Sequence, residues 1–205
     1  MDPRFKHPFS AIVAGPSGCG KSTLIKELIA HKELMMDPVP DHIVWHYGEW
    51  QPMYEMMEGV EFVEGLPDVT RLDTRKKTLI IIDDLMAETD KSVTNLFTKG
   101  SHHRNVSVLH LVQNLFDKNK HTRTISLNAH YLVIFKNPRD ASQITHLAKQ
   151  MYPGHVHFLQ EVFADAALKP YAYLLVDLKQ DTPEHLRLRT NILPDQVQYV
   201  YMRKT

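Results

Sequence analysis

The residues with the clearest chemistry are Gly15-Pro16-Ser17-Gly18-Cys19-Gly20-Lys21-Ser22. They match the spacing G-x-x-x-x-G-K-[ST]. The pattern follows a short apolar run, Ala11–Ala14, and opens a helical one, Ser22–Ala30. In that context glycines let successive backbone N–H groups curl round a phosphate, and the helix start adds free donors and a positive dipole end. Gly15 through Thr23 are the expected nucleotide-binding residues. Lys21 is expected on the β and γ phosphates, and the Ser22 hydroxyl on Mg²⁺. A second group stands at Asp83-Asp84, after the run Leu79–Ile82. An apolar strand ending in an acidic pair suits a magnesium site at Asp83 and a base at Asp84 that polarises water. A third is Gln113, which closes the run Val106–Val112 and suits a residue that orients water. Together these groups imply attack of water on the γ-phosphate of ATP, with Mg²⁺ as cofactor.

Such groups need a sheet to carry them. Short β-rich runs alternate with helical segments, which predicts a parallel α/β sheet. Strands are expected at 42–47, 60–63, 79–82, 106–112, 130–135 and 171–176. Helices are expected over 90–100, 140–151 and 156–167. Residues 49–57 suggest a loop and a short helix, and 65–77 an irregular stretch. The Leu79–Ile82 run has the character of a strand buried on both faces. A strand at 42–47 separates the loop strand from the acidic strand in sequence, as in the additional-strand class of P-loop ATPases. The whole chain, 1–205, reads as one such domain, with a core over about 8–178 and a strand-prone extension over about 186–205.

Composition narrows the classes. The chain has 43% hydrophobic and 23% charged residues, ordinary values for a water-soluble globular protein. No apolar run approaches the ~20 residues of a membrane span, and the first eight residues lack a signal peptide's apolar stretch. One cysteine excludes an internal disulfide and fits a reducing compartment. Cys19 reads as a small loop residue or as a modifiable thiol. With 24 basic and 24 acidic residues, no globally basic face for nucleic acid is signalled. The 13 histidines lack metal-site spacing and read mostly as surface or partly buried residues.

The joint order G-P-S-G-C-G-K-S, L-I-I-I-D-D-L, S-H-H-R-N-V-S-V-L-H-L-V-Q-N and H-Y-L-V-I-F-K-N-P-R-D resembles the genome-packaging ATPases of the FtsK–HerA superfamily. The poxvirus-type branch of large DNA viruses, virophages and Maverick/Polinton elements is the nearest. The resemblance runs over roughly residues 8–195. It implies a three-layer P-loop NTPase fold with core strand order 5-1-4-3-2. It also implies a homo-oligomeric ring of five or six copies that moves double-stranded DNA, without sequence preference, into a capsid. The implied setting is soluble and intracellular, at a viral assembly site in cytoplasm or nucleus or in the virion. Capsid proteins at a vertex or near a membrane are the implied partners. Many superfamily members carry Glu as the second acidic residue, and Asp84 is one methylene shorter.

Strand polarity separates the arginines. Ligands of open α/β sheets sit beyond the carboxyl ends of the strands. Arg104 precedes its strand, about 23 Å from the Gln113 end at ~3.3 Å per residue. It is therefore expected to act on a neighbour's nucleotide, as an arginine finger in trans. Arg123 and Arg139 compete for an arginine role, Arg139 in cis. For DNA, two basic stretches stand out: Lys118–Arg123, and Arg71 with Arg75, Lys76 and Lys77. Each reads as a pore lining or as a solvated loop. Trp45, Tyr47, Trp50 and Tyr54 suit core packing, adenine stacking or a subunit contact. A small-molecule kinase and a non-catalytic ATP-dependent assembly switch are the alternative functions. The first would need a phosphate acceptor, and the second would bind ATP without turnover.

Overall fold

Alternating strand and helix patterns build a parallel sheet with helices on both faces. The computed structural model describes residues 2–68, 70, 72–73, 75–83, 85, 91–100, 105–116 and 120–204. The first half of the chain gives β1 (Phe5–Lys6), β2 (Ser10–Ala14), α1 (Lys21–Ala30), α2 (Lys32–Met35), β3 (Met36–Asp37), β4 (His42–Tyr47), β5 (Glu61–Glu64) and β6 (Thr78–Asp83). The second half gives α3 (Lys91–Asn95), β7 (Val106–Val112), α4 (Lys120–Leu127), β8 (Tyr131–Phe135), α5 (Ser142–Met151), α6 (Val156–Ala166), β9 (Tyr173–Asp177), β10 (Leu188–Thr190) and β11 (Tyr199–Tyr201). A single 3-10 turn, Pro52–Met56, follows β4, and α3 runs on into a π-helical turn, Leu96–Gly100.

Among the described residues the main sheet runs β11-β10-β9-β8-β2-β7-β6-β4-β5. From β8 to β5 every pairing is parallel. Its centre, β8-β2-β7-β6-β4, is the order 5-1-4-3-2 implied by the resemblance. The C-terminal segment extends the sheet through antiparallel β9, β10 and β11. Every residue of β2, β6, β7 and β8 is buried. Their side chains alternate between two cores. Ala11, Val13, Leu79 and Ile81 face Leu24, Ile25 and Leu28 of α1. Ile12, Ile80, Ile82 and Val108 face Val93, Ile125, Leu147 and Leu159 of the helices opposite. No described helix is long and apolar enough to cross a membrane.

One local feature departs from the sequence reading. The basic stretch at 118–123 runs into a helix, because α4 begins at Lys120. Its Thr122, Thr124 and Ile125 are poor helix formers, and tertiary packing overrides that weak preference. Buried Ile125 anchors it to the core, and Thr94 and His121 share a hydrogen bond of 3.1 Å between α3 and α4.

Most of the described histidines are exposed or partly buried, as expected, while His7, His46 and His110 are buried. His110 is 3% exposed in β7, and among the described residues neither ring nitrogen has a hydrogen-bond partner. Burial pushes its pKa down to about 4, and pushes those of His7 and His46 down as well. The folded His110 therefore takes a proton only at lower pH than the unfolded chain does. Its contribution is intact above the unfolded value near 6.5 and is lost as pH falls toward about 4. Melting curves between pH 7 and 4 are expected to fall with acid. His110→Leu is expected to remove on the order of 2 kcal/mol of the destabilisation at pH 5.

Candidate active site

The carboxyl ends of β2, β6 and β7 lie side by side. Ala14 pairs with Val112, and Asp83 pairs with Leu111. The loop leaving β2 stays pinned to this edge, since Gly15 N–H donates to Val112 O at 3.1 Å. Glycine is needed there for space. A Cβ at Gly15 would lie 2.6 Å from Cys19 Sγ and 2.7 Å from Phe135 Cβ. Gly20 caps α1 with φ 102°, in the left-handed region that suits glycine. No side chain caps this helix, so its first N–H groups keep their donor capacity.

Lys21 folds back on the loop. Its Nζ donates to Gly15 O at 2.7 Å and to Pro16 O at 3.1 Å. The Ser22 hydroxyl instead points at the acidic strand and donates to Asp83 Oδ2 at 3.2 Å. Asp83 is 5% exposed, and the Tyr54 hydroxyl donates to the same oxygen at 3.2 Å. A hydroxyl and a carboxylate oxygen meeting beside a phosphate-binding loop are the hard donors that Mg²⁺ prefers.

These groups open into a cleft of about 690 Å³. Ser17, Gly18, Gly20 and Lys21 through Thr23 line it, with Asp83 and Gln113 on the sheet side. Gly15, Pro16 and Cys19 instead frame the loop, where Cys19 N–H donates to Pro16 O at 3.3 Å. Burial pushes the Cys19 thiol up, with Lys21 opposing more weakly, which disfavours its thiolate form.

Asp84 and Arg104 lie outside the described residues. The residue after Arg104 is described: Asn105 O accepts from Thr78 N–H at the start of β6, at the edge opposite Asp83. Arg139 is exposed and absent from the cleft lining, and its backbone N–H donates to Asn137 Oδ1. Arg123 is exposed on α4. Of the other basic stretch, Arg75 pairs with Asp73 at 3.0 Å and Lys77 with Asp41 at 3.1 Å, while Arg71 lies outside the described residues.

Sequence reasoning missed two parts of the cleft. Tyr54 combines core packing with its bond to Asp83. It is 2% exposed among Trp45, Tyr47, Trp50 and Phe62. Its hydroxyl is what an aromatic-rich segment beside an acidic strand end could have signalled. The lining also includes Tyr171, Tyr173, Leu193 and Gln196, and Gln51 and Met53.

The sheet order, the loop and the two-sided helical cover define the fold of the P-loop NTPases. Solved structures with this fold include the DNA-packaging ATPase B204 of Sulfolobus turreted icosahedral virus, at TM-score 0.59 and 14% identity over 100% of both chains. The genome-packaging NTPase B204 of Sulfolobus turreted icosahedral virus 2, in complex with AMPPCP, is similar at TM-score 0.57 and 16% identity, over 89% of this chain and 96% of that one. The same viral NTPase with ATP-gammaS matches at TM-score 0.53 and 14% identity over 98% of both chains. No protein-family model matches the chain, and a search of curated proteins gave no match.

Proposed function

We propose that this chain is the ATP-hydrolysing subunit of a motor that drives double-stranded DNA into a viral capsid. The observation that carries the hydrolytic part is the Ser22–Asp83 contact beneath the phosphate-binding loop, with Gln113 at the end of the neighbouring strand. The packaging part is supported by the resemblance of the motif order and by the likeness in fold to B204, which is described as a DNA-packaging ATPase.

In this reading the loop N–H groups hold the phosphates. Lys21 exchanges its contacts with the Gly15 and Pro16 carbonyls for β- and γ-phosphate oxygens. Ser22 and Asp83 hold Mg²⁺, with Tyr54 fixing the orientation of the carboxylate. Bound Mg²⁺ neutralises charge developing on the phosphate oxygens. Gln113 orients the attacking water and Asp84 takes its proton. Arg104 is assigned to the nucleotide of the next subunit, in a ring of five or six copies. Phosphate contacts to DNA are assigned to the two basic stretches, 118–123 and Arg71 with Arg75, Lys76 and Lys77, of which Arg75 and Lys77 also pair with acids. The proposed setting is a site of virus assembly in the host cell or the virion, beside capsid proteins.

The test is ATP turnover with and without duplex DNA, run alongside native mass. The expected result is an oligomer whose turnover rises with DNA of any sequence. A persistent monomer whose turnover ignores DNA would rule out the motor. ATP binding without turnover would favour an assembly switch, and a phosphorylated acceptor would favour a kinase.

A further inference from the structure

We propose that the ring of Tyr171, backed by the Leu193–Gln196 segment, is the platform on which the nucleobase of the bound nucleotide stacks. The inference rests on the reading of the loop as a triphosphate site. It supplies what that reading leaves out, the group that recognises the rest of the nucleotide.

The cleft is lined by more than the phosphate-binding loop and the acidic strand. It extends past Gly20 to Tyr171, Tyr173, Leu193 and Gln196. Tyr171 abuts the start of α1. A Cβ built on Gly20 would meet Tyr171 Cβ and Cδ1 at 3.6 Å each. A base joined through one sugar to phosphates on the loop therefore falls beside this ring.

Three features set Tyr171 apart from a structural aromatic. It is 72% exposed and belongs to neither core. No aromatic ring packs on it among the described residues. It also holds φ 63°, a left-handed conformation that a bulky side chain adopts only at a cost. Strain of this kind persists where surrounding structure enforces it, often at ligand sites. The enforcing structure is adjacent. The Tyr173 ring packs on Phe135 at 5.4 Å, and its hydroxyl accepts from Ile192 N–H at 3.2 Å. Thr190 Oγ1 donates to Tyr173 O at 2.6 Å. These bonds fix the segment that carries Leu193 and Gln196. The Gln196 amide offers both a donor and an acceptor to a base edge. By contrast, Trp50 is engaged by Tyr47, Tyr54 and Phe62 at 5.3–5.6 Å, so the aromatics singled out in the sequence serve one another.

The recognised class is a nucleoside triphosphate, gripped through the π face of its base, and inorganic tripolyphosphate is the matching probe without a base. Calorimetric titration of both, with Mg²⁺, onto wild type, Tyr171→Phe and Tyr171→Gly tests the platform. Glycine removes the ring and also relieves the left-handed strain, so Tyr171→Gly is expected to melt at or above the wild-type temperature. Its ATP affinity is expected to fall on the order of 10- to 100-fold, with tripolyphosphate binding unchanged. Tyr171→Phe is expected to bind ATP nearly as wild type does. Equal ATP affinity in wild type and Tyr171→Gly would overturn the platform alone, as would a parallel loss of tripolyphosphate binding. Failure of wild type to bind either ligand would overturn the triphosphate site and the platform with it.

Discussion

Lys21→Ala is expected to lower ATP turnover by about 10²- to 10³-fold, the scale seen when a preorganised donor to developing charge is removed. Among the described residues the ammonium donates to the Gly15 and Pro16 carbonyls of its own loop and to no other group. Pro16 is partly exposed but Gly15 is buried, so losing the donor is expected to lower the melting temperature by roughly 2–12 °C. Phosphate release and thermal melting on the same preparation check both halves. Turnover surviving at wild-type level would mean that catalysis, if any, lies elsewhere. Ser22→Ala and Asp83→Asn differ in kind, since each also breaks the bond joining the loop to the acidic strand.

Arg189→Ala is expected to produce the largest loss of stability. The side chain is 3% exposed and pairs with Asp177, itself 8% exposed, at 3.3 Å. It also donates to Pro3 O at 2.7 Å, which ties the N-terminal segment to β10. Truncation leaves a buried carboxylate without its cation and a carbonyl without its donor. Breaking a buried pair in this way costs about 3–5 kcal/mol. For a chain of this length that lowers the melting temperature by roughly 6–20 °C. The double variant Arg189→Met with Asp177→Leu is expected to recover much of the loss, because neither charge is then left buried alone. Thermal denaturation of the three proteins decides. A drop under about 1 kcal/mol in Arg189→Ala would show the pair to be dispensable. The pair also matters to the cleft, because β10 leads directly into the segment bearing Leu193 and Gln196.

The sheet was legible because its strands carry their own signals. Leu79–Ile82 is apolar throughout and Val106–Val112 is apolar but for Ser107 and His110, as suits strands covered on both faces, and both are wholly buried. The loop was legible because its chemistry is contiguous from Gly15 to Ser22. The contact of Tyr54 with Asp83 was not, since 29 residues separate them and only the packed sheet joins them. The helix α4 was hidden by β-branched residues and a single buried anchor, Ile125. Tyr171 was hidden because the sequence reads it as the first residue of the 171–176 strand, whereas β9 begins at Tyr173 and Tyr171 lies in the turn before it. The cleft reaches it only through the antiparallel return of β9 and β10, a long-range arrangement that the pattern of the chain does not encode locally. His110 lies inside the strand expected at 106–112, and the covered sheet buries it whole, which a count of histidines does not foretell.

The central claim is that water attacks a nucleoside triphosphate held in this cleft. Incubation of the wild-type chain with ATP and Mg²⁺ in ¹⁸O-labelled water, followed by mass analysis of the phosphate, tests it most directly. The account predicts inorganic phosphate carrying one oxygen from the labelled water, with formation abolished in Lys21→Ala. Phosphate appearing on another acceptor, or intact ATP bound without any release, would contradict it.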